Sequence, residues 1–80
     1  MNLRKQLVLH STYEELEKVE GLLNDLQAEL NFDDEFYAKL MLTVSEAATN
    51  GVIHGNKLDA SKKVTIIADY DGNTLSISTD

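Results

Sequence analysis

Glu46, Asn50 and His54 are spaced at intervals of four. On an α-helix each residue turns about 100°, so the three fall within about 80° of one another. A carboxylate, an amide oxygen and an imidazole in line can hold a hard cation and orient a nucleophile. Leu40, Val44, Ala47 and Gly51 lie beside this stripe, on what should be the core face. Polar groups at such a margin need partners. The small residues Ala47, Ala48 and Gly51 allow another surface to approach the backbone closely. The same spacing also describes an ordinary solvated face with weak side-chain pairs, so spacing alone leaves both readings open. Zinc fits poorly, with one nitrogen ligand in the stripe and no cysteine in the chain. A phosphorelay histidine also fits poorly. Such histidines belong to all-helical bundles, whereas His54 stands at a helix end beside strand-like sequence.

The elements that must hold these residues can be read from periodicity. Leu3, Leu7 and Leu9 alternate with Arg4, Gln6, Val8 and His10, the pattern of a half-buried strand, with Lys5 out of place on the apolar face. Ser11-Thr12-Tyr13-Glu14 has the spacing of a capping box. Leu16, Val19, Leu23, Leu26 and Leu30 then recur at steps of three and four, the stripe of an amphipathic helix. Asn31 and Phe32 interrupt it, and Asp33 or Asp34 can cap a second helix. That helix should end at Gly55, where a left-handed backbone costs little. Asn50-Gly51 alone would signal a hairpin, but the helical spacing on both sides keeps it within the helix. Val64, Ile66, Ala68 and Tyr70, then Leu75, Ile77 and Thr79, alternate around Asp71-Gly72, a hairpin signal. The expected helices span about 12–29 and 34–54, and the strands about 2–9, 62–70 and 73–79, with ends uncertain by a few residues. The order β-α-α-β-β, with helices on one face of a sheet, is an α/β (α+β) two-layer sandwich.

Composition narrows the class. Eighty residues allow one domain with a small core. There is no Cys, which excludes disulfides and is compatible with a reducing, cytoplasmic setting. The formal net charge of −7 argues against nucleic acid as a partner. No apolar run is long enough to span a membrane. The strand pattern at Leu75–Thr79 reaches the last residue without a stop signal, which reads as a chain cut within a fold.

The segment Val44-Ser45-Glu46-Ala47-Ala48-Thr49-Asn50, followed by His54-Gly55, resembles the N-box of the histidine-kinase-like (GHKL) ATPases. It most resembles the Ser-Glu-Ala-x-Thr-Asn…His-Gly form of the anti-sigma-factor serine/threonine-protein kinases. The likeness extends over residues 1–80, as the N-terminal half of that family's ATP-binding domain. It implies a truncated histidine-kinase-like ATPase (Bergerat) fold. It also implies ATP and Mg²⁺ as cofactors, Glu46 as general base toward a serine hydroxyl, and Asn50 as the Mg²⁺ ligand. His54 and Lys57 would lie near the phosphates. The partners implied are a sigma factor and the anti-sigma-antagonist protein that is phosphorylated.

The sequence departs from the family in several respects. The Asp-x-Gly-x-Gly box that reads adenine should follow the last strand. Alternation puts its Asp one residue past the end, and Asp80 could serve only if the strand slips. The 80 residues contain neither the second glycine box nor the lid. They are therefore expected to bind ATP weakly or not at all, and to self-associate as a homodimer through an open sheet edge. Two other functions compete with the kinase. One is a non-catalytic interaction domain with a relic N-box. The other is the ATPase domain of a sensor histidine kinase, disfavoured because no upstream helix carries a phospho-acceptor His.

Overall fold

The first strand, β1 (Leu3–His10), turns Leu3, Leu7 and Leu9 inward and Arg4, Gln6, Val8 and His10 outward. This arrangement comes from a computed structural model that describes residues 2–79. Lys5 shares the inner face. Its ammonium reaches Glu29 Oε2 at 3.0 Å, so the aliphatic stem lies inward and the charge is met at the margin.

The expected first helix divides in two. A 3₁₀ turn (Glu14–Glu17) precedes α1 (Lys18–Leu30). The capping box does not form. Ser11 is buried, and its hydroxyl donates to the Lys62 carbonyl instead of serving the helix. Glu15, one residue later than expected, accepts the His10 N–H at 3.1 Å. Helix α1 ends on Asn31, whose left-handed backbone (φ 57°) returns its N–H to Gln27 O at 2.8 Å. Asp33 then caps α2 (Asp34–Thr49), its carboxylate accepting the Phe36 N–H at 2.8 Å. Tyr37 donates to Asn24 Oδ1 at 2.6 Å, tying the two helices together.

The second helix is not uniform to its end. From Asn50 to Gly55 it widens into a π-helical turn. Gly55 is not its left-handed stop. Lys57 (φ 53°) and Leu58 (φ 57°) take that conformation, and the Leu58 N–H returns to Val52 O at 2.9 Å. The reversal thus falls two residues after Gly55, beyond the end of the wider turn.

Strands β2 (Lys63–Tyr70) and β3 (Leu75–Thr79) complete an antiparallel sheet in the order β1-β2-β3. Leu9 pairs with Val64, Leu7 with Ile66, and Ala68 with Ile77. The hairpin loop is longer than its Asp-Gly signal requires. Gly72 takes φ 97°, while the Asp71 carboxylate accepts the N–H groups of Asn73 and Thr74. Leu9 and Ile66 from the sheet, Leu23 and Leu26 from α1, and Val44 and Ala48 from α2 form one buried cluster. Burial of such side chains at about 25 cal/mol per Å² is the main stabilising term. The result is a small α+β domain, two helices on one face of a three-stranded antiparallel sheet. None of its described helices is long and apolar enough to cross a membrane.

Candidate functional site

The stripe of Glu46, Asn50 and His54 rides on the junction of α2 with its π-helical extension. Glu46 lies in the last turns of α2, and Asn50 and His54 lie in the wider turn. All three are exposed, as is Lys57 beyond them. A residue four places on overshoots a full α-turn but falls just short of a full π-turn. The two rotations oppose each other, so His54 returns toward the line of Glu46.

The opposite side of this segment is locked to the sheet. Ala48 and Val52 are buried. Gly51 faces Val64, and a Cβ there would lie 3.0 Å from one Val64 methyl and 3.2 Å from the other. The surface that the small residues admit is therefore the domain's own strand β2.

Below the stripe a polar joint holds the end of the turn. The Ser11 hydroxyl donates to Lys62 O at 3.0 Å and accepts from Asn56 Nδ2 at 2.8 Å. Asn56 Nδ2 also donates to Lys63 O at 3.2 Å, and the Asn56 N–H closes on Gly51 O at 2.9 Å. Neither Ser11 nor Asn56 stands among the candidate site residues read from the sequence. Ser11 did carry a signal, since it continues the inward positions of β1 at 3, 5, 7 and 9. Asn56 carried only the general tendency of Asn to bond nearby backbone. In the loop that follows, the Ser61 hydroxyl and then its N–H donate to Asp59. They hold that carboxyl below its ordinary pKa.

Among the described residues, none of Glu46, Asn50 and His54 makes a side-chain hydrogen bond or ion pair. No group of three or more His, Cys, Asp or Glu side chains among them could hold a metal by itself. The donors fit Mg²⁺ only as a partial shell. Asn50 offers one oxygen on an exposed face, and phosphate and water would have to complete the octahedron, the usual habit of that ion. Surface hollows lined by Arg4 and Asp69, by Phe32 and Tyr70, and by Lys18 and Gly21 include no residue of the stripe. Asp80, the one residue that could have begun an adenine-reading box, lies outside the described residues.

No family model, curated protein or solved structure matches the chain.

Proposed function

We propose that the chain carries the base and metal-ligand half of an ATP-dependent serine/threonine-protein kinase of the anti-sigma type. The reading rests on one observation. Glu46, Asn50 and His54 share the exposed side of a helix whose other side is fixed to the sheet by Gly51 and Val64. The sequence around them resembles an N-box, and a β-hairpin follows, as in the histidine-kinase-like ATPase fold. In this role Glu46 takes the proton of the attacking serine hydroxyl. The new bond joins that oxygen to the γ-phosphorus, and the bond from the γ-phosphorus to the β-phosphate bridging oxygen breaks. Asn50 offers its amide oxygen to Mg²⁺, which would supply neutralisation of phosphate charge. His54 and Lys57 lie further along the same exposed segment, where cations and donors serve phosphate oxygens. The protein partners on this reading are a sigma factor and the phosphorylated antagonist.

Because the 80 residues hold no glycine box, the test must tolerate weak binding. Mn²⁺ with ATP, titrated into the ¹⁵N-labelled chain, is expected to broaden the amides of Glu46, Asn50 and His54 first. Asn50→Ala should abolish the effect. Glu46→Gln should keep it, and in any form that transfers phosphate should lower the rate by about 10²–10⁴-fold. Broadening spread over the acidic surface, with no preference for the stripe, would end the nucleotide reading. That outcome would favour the second reading, a non-catalytic interaction domain.

A further inference from the structure

We infer that Ser11 and Asn56 are positioning residues, which together hold the π-helical turn carrying Asn50 and His54 in its register against the sheet. What that register serves rests on the nucleotide reading above; that it is held does not.

A π-helical turn is a rare state of a helix and needs a local cause. Here the sequence from Asn50 to Gly55 contains no proline to force one. The cause lies in the joint beneath it. Asn56 closes the wide ring through its own N–H on Gly51 O. Its side-chain amide is held at the same time by Ser11 Oγ and by Lys63 O. Ser11 is the buried polar residue of the described fold, and its hydroxyl uses both its donor and its acceptor capacity there. Through these bonds the end of the turn is tied to the buried residue just after β1 and to the first residue of β2. An ordinary α-turn would pair the Asn56 N–H with Val52 O instead. The chain would then be short of one residue in that turn, and Asn56 would rotate away from Ser11. His54 would rotate with it, out of line with Glu46. Ser11 would keep its bond to Lys62 O, but its buried oxygen would lose the Asn56 donor, and a buried acceptor left unmet is costly, so the joint selects the wide turn.

Amide exchange by NMR on the full 80-residue chain tests this. Asn56→Asp has nearly the same shape but lacks the side-chain donor, and Ser11→Ala lacks the hydroxyl. Each should raise exchange of the Asn56 and Leu58 amides by about tenfold. The amides of Leu23 and Ile66 should keep their rates, and Ser11→Thr should retain most of the protection. An equal rise at all four amides would mean that the joint contributes only general stability, and would overturn the inference. So would unchanged protection at Asn56 and Leu58. If Ser11→Ala does not fold, Asn56→Asp decides alone, since Asn56 is only half-buried. A second arm repeats the Mn²⁺·ATP titration on Asn56→Asp. Broadening at Asn50 in the wild type that is lost in the variant ties the register to the site. Equal broadening in both overturns the positioning role. No broadening in the wild type removes the nucleotide reading and leaves the exchange result to judge the joint.

Discussion

Asp71 closes the β2–β3 hairpin with a single carboxylate. Its Oδ1 accepts the Thr74 N–H at 2.7 Å and the Asn73 N–H at 2.9 Å, and these bonds hold its carboxyl below the ordinary aspartate pKa. A depressed folded pKa means that the unfolded chain binds the proton more readily. The stability that Asp71 adds is therefore fully present above the ordinary value of about 3.9 and is lost as pH falls through the lower folded value. Acid titration followed at the Thr74 amide should show the loop loosening in that window, and Asp71→Ala should remove the transition. A Thr74 amide that ignores pH there would mean that the loop holds without the carboxylate. Asp71 was legible in the sequence because a turn's chemistry is local: Asp bonds the backbone just ahead of it, and Gly72 accepts positive φ. Glu46, Asn50 and His54 were legible for the same reason, since four-residue spacing survives any tertiary arrangement of the helix. Ser11 was misread because two local rules competed for it. The capping-box spacing favoured a helix start, while the strand alternation placed it inward, and burial decided for the strand.

At the scale of elements, two helical glycines, Gly21 and Gly51, should respond oppositely to the same substitution. Gly21 in α1 is exposed, and nothing lies within 4 Å of where its Cβ would sit. Gly21→Ala gains helix propensity of about 0.5–1 kcal/mol with no clash. Its Tm should rise by a few degrees. Gly51→Ala gains no more propensity than that and meets both Val64 methyls at 3.0 and 3.2 Å. Val64 is buried and branched at Cβ, so it cannot swing aside. Overpacking of this kind costs about 1–3 kcal/mol, which outweighs the gain. Thermal unfolding of the two variants checks both signs, and a Gly51→Ala protein more stable than wild type would show that α2 is free to lift from β2. The order of elements and the inward faces of all three strands were legible because periods of two and of three to four are set by covalent geometry. The π-helical turn was not. A stripe at intervals of four reads the same on an α-turn and on a slightly wider one. The difference is made by bonds of Asn56 to Ser11 and Lys63, and Ser11 is far away in sequence.

Among the described residues the sheet has β1 at one edge and β3 at the other, and the two are not alike. Strand β1 carries Arg4 and Lys5, charges of the kind that blunt an edge against pairing. Strand β3, Leu-Ser-Ile-Ser-Thr, carries none, and its inward Leu75 and Ile77 are only half-buried. We therefore expect the 80-residue chain to self-associate through β3, two copies pairing antiparallel about a twofold axis to give a continuous six-stranded sheet. A five-residue strand offers little area, so the dimer should be weak, well short of the interface of about 1,200–2,000 Å² typical of stable complexes. Charge works against it, because each copy brings a net −7. Added salt should then strengthen association, since screening shortens the reach of that repulsion to about 10 Å at 0.1 M. Ser76 and Ser78 both point outward and are exposed. Replacing both with Lys sets like charges across the paired strands without touching the core. The same change lowers the net negative charge, so a simple charge effect would strengthen association and strand pairing would weaken it. Sedimentation equilibrium at millimolar concentration separates the two. Mass rising with concentration and salt in the wild type, and monomeric mass in the double Lys variant, are the expected results. A wild type that stays monomeric in high salt, or a double Lys variant that associates more strongly, would show that β3 is not the contact.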